Sequence, residues 1–231
     1  MTTDFISCSL TAKEKTYGMV WLMFEILFFP WLLELFNCIL PAPLPQVEVN
    51  FIFFAVNFIA VVWIFHRYLK AQLVLVPDLI EKILLVALPG FLIYRLVNLL
   101  LTMALFAADP DFVSINDLTI QSLAQENYFL MLVGSVILVP IAEECLFRGL
   151  LFRGMYDHSP LLAWTASILL FSAIHVTGYI GQYSLTTILL CFVQYIPAGV
   201  CLAGAYRFSG SLLSPILIHA LVNLMGMLAL R

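Results

Sequence analysis

Seven long apolar stretches separated by polar breaks dominate the sequence: residues 17–40, 51–69, 82–107, 127–156, 160–178, 184–206 and 211–230. A helix needs about 20 mainly apolar residues to cross a bilayer, so the pattern predicts about seven transmembrane helices. Pro41, Pro43 and Pro45 break the chain after the first stretch, where proline withholds a backbone donor and fixes φ. Residues 70–81 mix apolar and polar positions and are expected to lie along the membrane interface. Residues 108–126, with Asp109, Asp111, Asp117 and Glu126, read as a water-exposed loop. Residues 1–16 are polar, and no small-residue cleavage site follows the first apolar run. That run is therefore expected to be retained as a helix rather than removed as a signal. No internal repeat is evident.

Composition agrees with the pattern. Of 231 residues, 63% are hydrophobic and 10% charged, and mean hydropathy is +1.06. A soluble domain carries about 25% charged residues and could not hide this much apolar surface in one core, so lipid is the expected solvent. The fold class is thus all-α: a polytopic transmembrane bundle forming a single membrane domain, 1–231. A net charge of −4 without a basic run gives no reason to expect a nucleic-acid partner. Cys8, Cys38, Cys145, Cys191 and Cys201 are odd in number and form no C-x-x-C spacing. They read as small lipophilic core residues rather than a disulfide framework.

Basic residues give an orientation. Lys13 and Lys15 precede the first stretch. Arg67, Lys70 and Lys82 lie between the second and third, and Arg148, Arg153 and Arg207 lie at or near ends facing the same side. The other three connections contain no Lys or Arg, which predicts a cytoplasmic N-terminus by the positive-inside rule.

An ionisable side chain within a span costs several kcal/mol unless it is paired or wet. Glu25, Glu34, Arg95, Glu143, Glu144, Arg148, His175 and His219 all fall inside the apolar stretches. For the first three an ion pair suffices, one of the glutamates meeting Arg95 across helices. Glu144 and Arg148 stand four apart with glutamate on the N-terminal side, the favourable order for a helical pair. Glu143 projects about 100° away from Glu144 and is left as an unpaired carboxylate, which needs water, a metal, a histidine or an arginine from another helix. Phe171 and His175 share a face on the next stretch, as do His219 and Asn223 on the last. Interhelical hydrogen bonding is the alternative reading of such positions. Three polar sites on three helices at similar depth instead suggest one cavity near the bilayer midplane.

These residues resemble the motifs of the CAAX protease and bacteriocin-processing family (Abi, type II CAAX protease). Its pattern E-E-x-x-x-R, F-x-x-x-H and H-x-x-x-N is met by Glu143-Glu144…Arg148, Phe171…His175 and His219…Asn223, in order. Phe147-Arg148-Gly149 and the glycines Gly199, Gly204 and Gly210 add to the likeness. It covers roughly residues 127–228, taken as the catalytic core helices, while residues 17–107 match only in being apolar. The resemblance implies an intramembrane endopeptidase acting on a CAAX-type tail or an unprenylated bacterial peptide, in a bacterial cell membrane. It assigns Glu143 and His175 to activating water, His219 and Asn223 to the oxyanion or a metal, and Glu144, Arg148 and Phe171 to supporting the site. Its expected partners are membrane lipid and a peptide or protein substrate.

Two questions stay open at this stage. No cofactor is the preferred expectation. The alternative is a zinc ion held by Glu143, His175 and His219, the ligand count of a His₂Glu site. Against a peptidase stand a non-catalytic membrane immunity or scaffold protein and a proton-coupled transporter, since buried Glu and His also build proton relays.

Overall fold

The computed structural model describes residues 8–231. Residues 1–7, which begin both the polar lead-in and the 1–231 domain read from the sequence, lie outside the described residues. The described chain folds into nine helices: α1 (Ala12–Leu27), α2 (Phe29–Ile39), α3 (Gln46–Ile64), α4 (His66–Ala108), α5 (Ile115–Glu126), α6 (Tyr128–Tyr156), α7 (Pro160–Thr177), α8 (Leu185–Ser209) and α9 (Leu213–Ala229). Five of them are individually long and apolar enough to span a membrane, six spans result if the bent pair α1–α2 counts as one, and α9 is a shorter apolar helix. About seven spans is therefore nearly right. Large apolar side chains such as Trp31, Trp63, Leu85 and Leu92 are exposed around the outside, as lipid requires, and the protein is an integral membrane protein.

Three local expectations need correction. The first apolar stretch is not one helix: α1 and α2 meet at a 53° bend. Pro30 lies at the start of α2, where its ring has no N–H to return to the preceding turn. Residues 70–81 are not a separate interfacial segment. They form part of α4, which runs for 43 residues through Pro77 and Pro89 and at 1.5 Å per residue is roughly 65 Å long. It outreaches a bilayer core of about 30 Å, so its charged first half, with Arg67, Lys70, Asp78, Glu81 and Lys82, continues the span beyond the lipid. Nor is 108–126 a plain loop. Only residues 109–114 link α4 to α5, and α5 is anchored by Glu126, whose Oε2 accepts from the free backbone N–H of Val47 at the start of α3 (3.2 Å).

Polar ties fix the helix ends. Thr11 and Glu14 form a reciprocal capping box on α1, and the second carboxylate oxygen of Glu14 accepts from Tyr68 N in the first turn of α4 at 2.9 Å. One buried acid thus satisfies donors of two helices. At the other end of α8, Gly210 takes φ +75°, a left-handed cap that suits glycine. The turn it opens is held by Leu212 N donating to Gln72 Oε1 on α4 (2.9 Å). The tyrosine hydroxyls of Tyr68 and Tyr206 meet at 2.7 Å in the core between them. α8 packs most extensively against α7 and α4, and α9 against α4.

The cysteines are all free. Cys145 and Cys191 are buried and Cys38 is exposed, so the lipophilic-core reading fits only part of the set.

The proposed orientation can be checked with reporters fused after residues 45, 75, 118 and 182. The second should give a cytoplasmic signal and the other three an external one. A cytoplasmic signal from the fusion at 118 would reverse the scheme.

Candidate active site

The site is built on α6, which is not a regular α-helix. It widens to π geometry twice, at Gly134–Leu138 and Cys145–Arg153. The first widening has a readable cause. Val139 N bonds back to Gly134 O, five residues away, so the partner left for Ser135 O in the same register is residue 140. That residue is proline and has no N–H. The orphaned carbonyl is taken by Asn223 Nδ2 of α9 at 2.7 Å. Asn223 is therefore tied to α6 backbone through one of its amide hydrogens, with the other hydrogen and Oδ1 still available.

Seven residues further along the chain, Ala142 and Glu144 are buried and Glu143 half-buried. Glu144 Oε1 receives Arg148 Nη1 at 3.1 Å, both side chains being fully buried, so the i,i+4 pair expected from spacing is present. The same oxygen also accepts from His219 Nδ1 of α9 at 2.9 Å, a partnership that spacing could not reveal. Arg148 Nη2 reaches Gly199 O of α8 at 3.5 Å, and its guanidinium lies 4.2 Å over the ring of Phe171. That ring packs against His175 at 4.7 Å and His219 at 6.0 Å between centroids. Phe171 thus fills the space between the cation and both histidines.

His175 Nδ1 lies 2.8 Å from Phe171 O, one turn back. A carbonyl only accepts, so Nδ1 carries the hydrogen, and in the neutral ring Nε2 is left with its lone pair. The other face of His175 stacks on Tyr195 of α8, 4.0 Å between centroids and 22° from parallel. The Tyr195 hydroxyl accepts from Asn116 Nδ2 of α5 at 2.8 Å. Tyr195 and Asn116 have no place in the sequence motifs. Neither lies at a spacing that relates it to His175, and only the packing of α5 and α8 brings them in.

A cavity of about 810 Å³ joins these parts. Glu143, His175, His219 and Asn223 all line it, with Tyr94 and Tyr195 beside them. Glu143 makes no side-chain hydrogen bond, and its Oε2 is buried with no partner, matching the unpaired carboxylate inferred from its helical position. Glu144 and Arg148 stand behind the wall rather than in it.

The expected pairing of Glu25 or Glu34 with Arg95 is absent. Glu25 accepts from Asn57 Nδ2 of α3, whose Oδ1 accepts from Trp21 Nε1 at 2.8 Å, and Glu34 accepts from Gln46 Nε2 at 2.8 Å. Arg95 is exposed on α4. Both acids found amides within reach of α1 and α2, while Arg95 sits on a face that α1 does not meet.

The metal alternative is poorly matched by this arrangement. Among the described residues no group of three or more His, Cys, Asp or Glu is placed to hold an ion, although the Nδ1 bonds of His175 and His219 leave Nε2 of each ring unspent. No chemical step is derived through a metal.

No curated protein and no solved structure matches the chain. Residues 125–225 match the family model described as type II CAAX prenyl endopeptidase Rce1-like, and that segment contains every one of the motif residues. That segment, a little under half of the chain, is similar to the CAAX protease family.

Proposed function

We propose that the protein is an intramembrane endopeptidase that hydrolyses a peptide bond in the cavity between α6, α7 and α9, with Glu143 and His175 activating the water. The observation that carries this reading is that two unspent bases line one cavity: Glu143, whose carboxylate makes no hydrogen bond and whose Oε2 has no partner, and His175, whose Nδ1 is committed to Phe171 O. Amide hydrolysis needs a nucleophilic water, a stabilised oxyanion and a proton for the leaving amine. Glu143 takes a proton from a water that also donates to His175 Nε2. The oxygen attacks the scissile carbonyl, and Glu143 returns the proton to the leaving nitrogen as the C–N bond breaks.

The oxyanion falls to α9. His219 gives Nδ1–H to Glu144, so donation from Nε2 as well requires the doubly protonated ring. Asn223 supplies its second amide hydrogen beside it. Glu144, Arg148 and Phe171 act through His219 and His175 as positioning residues.

The test is cleavage of internally quenched peptides by the purified protein in detergent or nanodiscs, run in H₂¹⁸O. A peptidase using activated water incorporates one ¹⁸O into the new carboxylate in the first turnover. Binding without cleavage across a broad peptide set would favour a non-catalytic role, and peptide-independent proton flux in liposomes would favour a transporter.

A further inference from the structure

His175 lies in the last turn of α7. Its Nδ1–H bond to Phe171 O and its contact with the Phe171 ring both come from its own helix. They fix the tautomer and one face of the imidazole. The contact that ties the ring directly to another helix is on its second face. There Tyr195 of α8 stacks on it, 4.0 Å between centroids and 22° from parallel. The imidazole is thus sandwiched between two aromatic rings, one of which α7 does not carry.

Tyr195 is itself held from α5, where Asn116 Nδ2 donates to its hydroxyl at 2.8 Å. One turn on, Thr119 Oγ1 accepts from the hydroxyl of Tyr179 at 2.9 Å, and Tyr179 stands four residues beyond His175. Asn116 and Thr119 are three apart and share a face of α5. That face therefore grips both flanks of His175: α8 through Tyr195, and the segment leaving α7 through Tyr179. The grip on α8 has a local reason. Pro197 lies inside α8 and has no N–H to give Val193 O, so the turn carrying Tyr195 lacks a backbone bond and is the place where the helix can bend. All four side chains line the cavity together with His175.

Resting on the peptidase reading, we propose that Tyr195 is a positioning residue for His175, and that Asn116 of α5 acts through Tyr195. The tyrosine ring stops the imidazole from turning about χ2, and Asn116 stops the tyrosine from sliding off it. α5, which carries none of the motif residues, thereby sets the aim of Nε2. The aim matters because His175 and Glu143 must meet on one water, and a displacement of about 1 Å can lower a rate by on the order of 10²-fold.

The test joins cleavage kinetics to the NMR signal of ¹³C-labelled histidine, both on the full chain in nanodiscs, with His175 assigned by the signal lost in His175→Ala. Tyr195→Leu removes the stack and should lower kcat by about 10²-fold. Tyr195→Phe keeps the stack and loses only the hydrogen bond. It should lower kcat by about 3–10-fold, the size of one neutral hydrogen bond, and Asn116→Ala should do the same. The two together should be no worse than either alone, since they remove one contact. KM should move by less than about 2-fold, because a group acting only through His175 adds no substrate binding. The His175 ring-proton signal, shifted by the tyrosine ring current, should move downfield in Tyr195→Leu and hold in Tyr195→Phe. Four results would each overturn the proposal: effects of Asn116→Ala and Tyr195→Phe that multiply, phenylalanine as damaging as leucine, a loss carried by KM alone, or a His175 signal unmoved by Tyr195→Leu. If Tyr195→Leu loses its fold, Tyr195→Phe, Asn116→Ala and their combination decide. If no peptide is cleaved, the peptidase reading fails, and the His175 signal alone judges whether Tyr195 holds the ring.

Discussion

Replacing Arg148 with alanine should destabilise the protein by about 3–5 kcal/mol, the usual consequence of breaking a buried ion pair. For a chain of this size that is a fall of roughly 6–20 °C in melting temperature. The side chain is fully buried, so nothing replaces it. Glu144 keeps His219 but loses its 3.1 Å bond to the guanidinium, Gly199 O loses its side-chain donor, and Phe171 loses the cation 4.2 Å from its ring. The truncation also leaves a void beneath that ring, and a cavity adds its own cost to the lost contacts. Lysine should rescue only in part, because a point charge cannot serve Glu144 and Gly199 at once as the planar fork does. The double change Glu144→Gln with Arg148→Met removes both charges and should recover much of the stability, since the penalty comes from the stranded partner rather than from losing the pair itself. Thermal unfolding in detergent, followed with folded yield, checks all three. A wild-type melting temperature in Arg148→Ala, with activity alone lost, would show that the residue acts chemically.

How much of this could be read in advance depended on range. The Glu144–Arg148 pair and the isolation of Glu143 follow from helical spacing alone, because residues one turn apart on one helix must meet. The helical bundle follows from run length. His219 binding Glu144 lies beyond that reach, 75 positions apart, as do Tyr195 stacking on His175 and Glu14 capping α4. These depend on which helices become neighbours, which no local pattern fixes. The π turn at Gly134–Leu138 lies between the two cases. Pro140 marks a missing donor in the sequence, yet only the approach of α9 shows that Asn223 meets the carbonyl it strands. The helix at 115–126 was hidden by its polarity. It is tied to the bundle where Glu126 accepts from Val47 N, Asn116 donates to the Tyr195 hydroxyl and Thr119 accepts from the Tyr179 hydroxyl, and no broad apolar face announces it. Glu25 departs from expectation for a plainer reason: an acid in a span suggests a cation as its partner, and here the neighbouring amide of Asn57 serves instead.

Glu143→Gln should separate chemistry from stability in the opposite sense to Arg148→Ala. The amide has the shape of the carboxylate but cannot accept the water's proton. Loss of a general base lowers the rate by about 10²–10⁴-fold, equivalent to about 2.7–5.5 kcal/mol of barrier. Stability should hold or rise, because the variant removes a carboxylate whose Oε2 is buried without a partner and leaves a neutral group that is cheaper to bury. His175→Ala should be similarly inactive. If both residues act on one water, the double variant should be scarcely worse than either single one, since groups that act as a unit are far from additive. Rates that multiply would mean the two work in separate steps. The same assay judges the metal question. A membrane-permeant chelator should leave the wild type active, because the three candidate ligands form no preorganised ion site. Stoichiometric zinc in the purified protein, with activity lost on chelation and restored by zinc, would overturn the glutamate-and-histidine mechanism and return Glu143, His175 and His219 to the role of ligands.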